Sequence, residues 1–423
     1  MNFKYKIFLL TILFPLFALN VYSQGESSLQ FLLISPSSEA AGMGESSVGV
    51  ATTDPLSIIR NPAHLGIFSL NRYFNTAYYS RSLQGIYGNE FNYIAAGISG
   101  GLNFKKSLGW DREIAVGIGY TRIFYDYRGT YRTLSSGPEN LGDTESYESS
   151  DNLTLSIGVD NWVKSSMGFT FKHINSHLTE LGTEEEIGTG TSTLFAFDYG
   201  FFIEAPVIKI FSNLSNKSLE LFPNIKPIFN FSLGFSFNNI GDKVSYIDKN
   251  QGDPLPRTTR VGIGINLGLL VAKKEVEWQP VSIKFTREIS DLLISRGQEW
   301  KYQSLFGDIN FLNGVILGKT NDLTEKRTGL EFNLLEIAYI RFGKLDDHLG
   351  GRIVNARGYT FSIAGCFKLL QVLDYDISSS SQVVNFLFDK VDFRLNYSSW
   401  NTNDAFSPLN DSRFLGIGLF IYN

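Results

Sequence analysis

One cysteine and four histidines in 423 residues remove several chemistries at once. Cys366 has no partner for an internal disulfide and reads as a small packing residue inside an alternating strand from Tyr359 to Phe367. A serine hydrolase needs an imidazole base, yet only His64, His173, His177 and His348 are present, and no Gly-x-Ser-x-Gly elbow accompanies them. His173 and His177 have the i, i+4 spacing of a helical metal pair, but they fall where a strand runs into a loop, which makes them surface residues. Asp143-Thr144-Glu145 and Glu184-Glu185-Glu186 lack the ligand spacing of a calcium loop and read as solvated charge. The chain is therefore expected to hold no catalytic, cofactor or metal site.

Charge of one sign is also missing. Lys and Arg total 37 against 42 Asp and Glu, a net charge of -5 that offers nucleic acid no broad basic field. No Pro- or Ser-rich linker or charge block divides the chain, so one large domain is the simplest organisation. Beyond the N-terminal stretch no apolar run approaches the roughly 18 to 20 residues of a membrane-spanning helix. If the protein crosses a membrane, it crosses as strands.

What is abundant is alternation. From Phe229 to Asn238 every odd position is large and apolar and every even one small or polar. Val261, Ile263, Ile265, Leu267 and Leu269 likewise oppose Gly262, Gly264, Asn266 and Gly268, and Leu153, Leu155, Ile157 and Val159 oppose Asn152, Thr154, Ser156 and Gly158. Side chains alternate across a strand, so each segment has one greasy face and one wet or tightly packed face. Segments of about ten residues with this period are what a membrane-spanning β-barrel needs, because lipid satisfies no backbone hydrogen bond and only a closed sheet leaves no edge. The 35 Phe and 20 Tyr suit the aromatic girdles of such a barrel.

Candidate strands fall near 73–81, 91–100, 113–125, 152–160, 166–175, 193–203, 228–238, 258–269, 280–289, 310–319, 327–335, 336–343, 358–367, 391–398 and 413–422. An up-and-down barrel requires an even number, so the expected fold is all-β, a transmembrane antiparallel up-and-down β-barrel of about 14 strands, with one segment misread. Long polar connections at 129–150, 177–191, 212–226, 241–257 and 370–390 are expected on one, outward side.

Lys4 and Lys6 precede an apolar run from Ile7 to Leu19, and Val21-Tyr22-Ser23 supplies small residues before Gln24. This is the pattern of a secretory signal peptide over residues 1–23, too short and too interrupted by Pro15 to be an anchor. Residues 24–70 then form a plug-like segment and 71–423 the barrel, which places the chain in the outer membrane of a Gram-negative bacterium. Within the plug, Asp54 suits an N-cap, Pro55 the first helical position, and Pro62 a stop, which predicts a short helix bearing Leu56, Ile58 and Ile59. Gly117/Gly119, Gly262/Gly264 and Gly416/Gly418 lack the Lys-Ser/Thr of a phosphate loop; they sit within strands, facing the lumen, where they leave room for the N-terminal segment or a ligand.

The run Glu39-Ala40-Ala41-Gly42-Met43-Gly44, followed by Asn61-Pro62-Ala63-His64-Leu65, resembles the start of the PorV/PorQ-type outer-membrane proteins within the FadL-like barrel superfamily. The motif positions are Gly42, Met43, Gly44, Asn61, Pro62, Ala63 and Leu65, with Glu39 where a basic residue is common and His64 where glycine is. Phe237-Asn238-Asn239-Ile240-Gly241, Asp253-Pro254-Leu255-Pro256-Arg257 and Gly329-Leu330-Glu331-Phe332 look like the same family's later signatures. The resemblance implies a type IX secretion accessory or attachment protein, with secretion-system proteins and secreted C-terminal-signal cargo as partners. FadL-like relatives imply instead a conduit for a hydrophobic small molecule. A secreted soluble β-protein is the third class. For the first, the loop bearing Tyr131, Arg132 and Tyr147 is the candidate partner-binding surface.

Overall fold

The structure is a computed structural model that describes residues 27–422 apart from 53, 85–89, 105–112, 128–129, 135–136, 180–187, 249–251, 274–275, 296–299, 320, 322, 349–351, 374–381, 403–406 and 408. Fourteen strands close into one barrel. In chain order they are β1 (Arg72–Gln84), β2 (Glu90–Asn103), β3 (Glu113–Asp126), β4 (Tyr147–Asp160), β5 (Lys164–Thr179), β6 (Gly190–Pro206), β7 (Ile225–Gly241), β8 (Thr258–Lys273), β9 (Val276–Leu292), β10 (Glu325–Leu334), β11 (Ala338–Asp347), β12 (Arg352–Ser362), β13 (Val391–Thr402) and β14 (Arg413–Tyr422). Each pairs antiparallel with its chain neighbour, and β1 closes on β14 through Ala77 opposite Gly418. Closure gives each of these fourteen strands two partners, so the barrel has no edge.

The burial pattern is inverted relative to a soluble sheet. On β4 the outward Leu155 is 51% exposed, whereas the inward Thr154 is 1% exposed and bonded to Thr170 across to β5 at 2.8 Å. Outward-facing Met167, Phe169, Phe195, Phe197 and Leu267 are exposed in the same way, and Phe169 and Phe197 pack ring to ring at 5.5 Å. A sandwich whose greasy faces meet in a core, the soluble alternative, is not the architecture.

Three sequence readings are corrected. Residues 310–319 are not a strand: Phe311–Ile316 forms a short π-helix in the β9–β10 connection. Its apolar residues come as adjacent pairs rather than alternately, so they cannot be sorted onto one strand face, and the Asn310 side chain caps the Asn313 amide at 3.0 Å. Cys366 lies in a helix, Ile363–Val372, rather than in a strand; β12 stops at Ser362. The long connections are also not all on one side. Antiparallel strands alternate ends, so 127–146, 242–257 and 293–324 lie at one end, called here the far end, while 207–224 and 363–390 lie at the end where the barrel begins and finishes.

Candidate functional site

The lumen is occupied by the chain that precedes β1. A 3-10 turn (Gln30–Leu33), a helix of one turn (Ser38–Gly42), a second 3-10 turn (Pro55–Ile59) and a helix (His64–Asn71) pass along the inward faces of the strands, almost wholly buried. Asp54 caps the second turn, accepting from the Leu56 amide at 2.9 Å with Pro55 at its first position, as its local sequence requires.

The wall accommodates this segment by omitting side chains where it passes. A Cβ on Gly49 would lie 2.5 Å from the Ile263 nitrogen, and one on Gly262 would lie 2.9 Å from the Gly49 nitrogen. Gly42 lies as closely against Gly358, Pro62 against Gly168, and Leu65 against Gly117. The glycines in phase with the polar face of the strands are thus a track for the segment.

The motif residues are contact points on that track. Gly44, at φ +64, abuts the Lys344 backbone, where only glycine fits both the left-handed conformation and the space. Met43 is buried against Gly329. The Asn61 amide donates to the Phe201 carbonyl at 3.2 Å while its oxygen accepts from the Ala63 amide at 3.0 Å, and Ser166 donates to the Ala63 carbonyl at 2.6 Å. His64, where the family motif has glycine, is the first residue of a helix, so no positive φ is needed there. Burial pushes its imidazole down to about 4, and its ring meets Phe202 edge-on at 5.5 Å. Tyr131 stands in a small hairpin, Thr130–Leu134 against Gly137–Thr144, opposite Asp143. The side chains of Tyr131, Arg132 and Asp143 lie outside the described residues, as do Glu184 to Glu186. Tyr147 begins β4, and its ring stacks on His177 of β5 at 5.1 Å; the two are not brought to the hairpin by any described contact.

Between track and segment lies a buried ionic network that the sequence reading did not single out. Glu39 stands 3.6 Å from Arg341 and 3.8 Å from Arg394, while Glu45 pairs with Arg60 and lies 3.8 Å from Arg327. Glu288 of β9 accepts from the Ser47 and Val48 amides at 3.0 Å each and from Arg260 at 3.2 Å. Charges sealed this way persist only when paired and hydrogen-bonded. The available signal was phase: Arg260, Glu331 and Arg341 share a strand face with glycines, and Glu288 and Arg394 pair across to Gly262 and Gly418 on the same inward face.

Toward the far end the lumen changes character. Inward-facing Tyr93, Ile123, Ile174, Val354, Trp400 and Phe414 form an apolar collar, and Leu29, just before the first turn, packs with Phe31 and Leu32 of that turn into one cluster with the collar. Trp400 and Phe414 lie 4.9 Å apart, and the Trp400 indole donates to the Ala41 carbonyl at 2.9 Å. The β7–β8 connection closes over this end: the Ser28 amide donates to the Pro254 carbonyl at 3.1 Å, and Leu255 is fully buried. That connection is itself pinned by Asn239, at φ +60 in a bulge, whose amide donates to Asp198 at 2.7 Å and whose side chain donates to the Pro256 carbonyl at 2.9 Å.

No protein-family model matches the chain, and no curated protein matches it. Among solved structures it is similar to the Pseudomonas putida toluene transporter TodX, at 11% identity over 90% of this chain and 96% of that one, with a TM-score of 0.38. It is also similar to a Pseudomonas aeruginosa FadL homologue, at 10% identity over 90% and 96% with a TM-score of 0.36, and to the β-domain of the Bordetella autotransporter BrkA, at 10% over 84% and 99% with a TM-score of 0.37. All three scores lie below 0.5, and such likeness carries no functional weight for this chain.

Proposed function

We propose that this chain is an outer-membrane barrel that takes up small hydrophobic compounds through its far mouth, with its own N-terminal segment as the closing element. One observation carries the reading: the apolar collar at that mouth is filled by Phe31 and Leu32 of the chain itself. A water-filled pore lines its interior with polar groups. A collar of Tyr93, Ile123, Ile174, Trp400 and Phe414 instead matches an apolar guest, for which Phe31 and Leu32 stand in. A guest that binds the emptied collar shifts the segment outward by its differential affinity for the two states. The exposed apolar outer wall supports membrane placement, and the leader-like run before Gln24 supports export. The test is binding of naphthalene by the purified full chain in vesicles, read from tryptophan fluorescence. Saturable quenching that Trp400→Phe removes is expected; no binding beyond simple partition into lipid overturns the reading.

A second reading rests on the run Gly42-Met43-Gly44 and Asn61-Pro62-Ala63, which resembles PorV/PorQ-type proteins. In it the barrel receives type IX secretion cargo through the hairpin Thr130–Thr144 at the far end. Shortening residues 133–149 would then leave an inserted barrel that delivers less C-terminal-signal cargo to the cell surface. Unchanged delivery removes this reading and leaves the first standing.

A further inference from the structure

The segment 305–318, which includes most of the stretch 310–319 that resembled a strand, lies outside the barrel. Val315 at its centre is fully buried against the outward side chains Val261, Ile263 and Ile289, with Leu233, Phe235 and Ile309 at the margin of the same cluster. Phe306 packs on Phe235 at 5.7 Å. The outward residues of β7, β8 and β9 continue below it as the uncovered apolar wall, with Phe231, Leu267 and Ile283 exposed. On its own outer side the segment presents Phe306, Phe311, Leu312, Ile316 and Leu317, with Leu312 68% exposed. From Leu305 to Gly318 the only charged residue is Asp308.

A loop in water has no reason to turn its leucines outward, and a loop in lipid must satisfy its backbone internally. This one does. The Leu317 amide donates to the Leu312 carbonyl at 3.0 Å, Gly318 to Gly314 at 3.1 Å and Lys319 to Asn313 at 2.8 Å. Asn310 caps the start of the helix. The carbonyls left over at its end are met by two cations of the wall: Arg287 donates to Ile316 at 2.8 Å and Lys326 to Gly318 at 3.0 Å. The Asp308 amide donates to Asp291 at 2.6 Å, and its carbonyl accepts from Asn321 at 3.1 Å. Arg287 points outward on β9, in phase with Phe285 and Ile289, so without the segment it would face acyl chains bare.

We infer that residues 305–318 form a flap embedded in the leaflet at the far end, its exposed face in contact with acyl chains of the surrounding membrane. The flap widens the apolar wall beside β7–β9 and turns Arg287 and Lys326 into backbone caps. This rests on the membrane placement proposed above, and the experiment separates the two. In a Cys366→Ser background, single cysteines are introduced by Leu312→Cys and Leu317→Cys on the flap, Leu267→Cys on the bare wall and Asp242→Cys in the exposed β7–β8 connection. Each is labelled with a nitroxide and reconstituted in phosphatidylcholine vesicles. Collisions with oxygen, which concentrates in acyl chains, are compared with collisions with a water-soluble nickel chelate. Labels at 312 and 317 should follow 267, with the oxygen-to-nickel ratio several times that at 242. A ratio like that at 242 overturns the flap, as does protection from both reagents, which would mark a second protein chain over the segment. Water exposure at 267 overturns the membrane placement itself and the flap with it. Leu312 and Leu317 are exposed side chains, so neither substitution touches the packing of the barrel, and heat-modifiable migration verifies folding of each variant.

Discussion

Arg341 Nη2 stands 3.6 Å from Glu39 Oε2, a contact between the barrel wall and the segment it encloses, with both side chains sealed from solvent. The two are unequally replaceable. Arg341 also holds Glu331 at 2.6 Å, and Arg394, the second cation near Glu39, holds Asp392 at 2.6 Å. Removing Glu39 therefore leaves wall cations that still have partners, whereas removing Arg341 leaves two carboxylates sharing less positive charge.

Glu39→Gln should accordingly cost about 1 to 2 kcal/mol and Arg341→Met about 3 to 5 kcal/mol, the usual loss for stranding a buried charge. Denaturant unfolding of the reconstituted barrel gives both values. Equal losses would mean that Glu39 is as essential to the wall's own charge balance as Arg341, contrary to the pairing described.

The glycine track makes a prediction of its own. A side chain at 262 collides with the Gly49 backbone, so Gly262→Val should unseat the segment while β8 keeps its ladder. Single-channel recording in planar bilayers should show larger conductance than the intact chain. Gly416→Ala, whose added carbon would stop 3.2 Å from Ser38 Cβ, should change little.

These features were unequally legible in the chain. Phe229 to Asn238 announces its strand because a half-lipid, half-lumen sheet enforces strict alternation, and glycines in the polar phase could be read as a thin inner wall. Residues 310–319 misled because an element lying on the outside of a barrel is apolar for the same reason as the strands beneath it, with no second face to break the pattern. Glu39 stood out only as a departure from a motif. Its reason, the pair Arg341 and Arg394, lies on strands far along the chain and becomes visible only when the sheet closes and β11 to β13 come round to the segment. The collar is similar: Tyr93, Ile174 and Trp400 belong to three strands whose common level is set by register and tilt rather than by local sequence.

The outer wall is tested at Leu267, which is exposed between the flap and the near end. Leu267→Arg should destabilise the inserted barrel by about 2 to 4 kcal/mol, the cost of a cation near the bilayer midplane. Leu267→Phe should be close to neutral. If both migrate and unfold like the parent in heat-modifiability gels and urea titrations, the lipid-facing assignment of β8 is wrong.

Seating of the segment should be nearly flat with pH, because two buried groups oppose each other. Burial, and then the nearby Glu39 charge, push the Asp54 carboxyl up to about 6 from 3.8, so the seated state keeps that proton and seating weakens as pH rises from about 4 to 6. Burial pushes His64 down to about 4 from 6.5, so the seated state excludes that proton and seating strengthens as pH rises from about 4 to 6.5. Each effect is worth about 3 kcal/mol and they have opposite signs. His64→Gln should therefore expose the Asp54 term, with conductance rising from pH 4 to 6.5, and Asp54→Asn should expose the His64 term, with conductance falling over the same range. A strong pH dependence in the parent that both variants retain would place the responsible group elsewhere.

The collar decides the function. Phe31 and Leu32 are buried in it, and burying one such side chain contributes about 1.5 to 3 kcal/mol, so Phe31→Ala with Leu32→Ala removes about 3 to 6 kcal/mol of the segment's hold. If a hydrophobic guest competes for the same surface, that loss returns as affinity: naphthalene should bind the double variant at least about tenfold more tightly, since about 1.4 kcal/mol is one decade. Ser232→Ala is the control, because it also loosens the segment, by removing the hydroxyl that donates to the Gly49 carbonyl at 2.7 Å, but leaves the collar filled. It should raise affinity far less. Equal gains in the two variants would mean that segment release matters and the collar does not, and no gain in either would leave the apolar end of the lumen as packing alone.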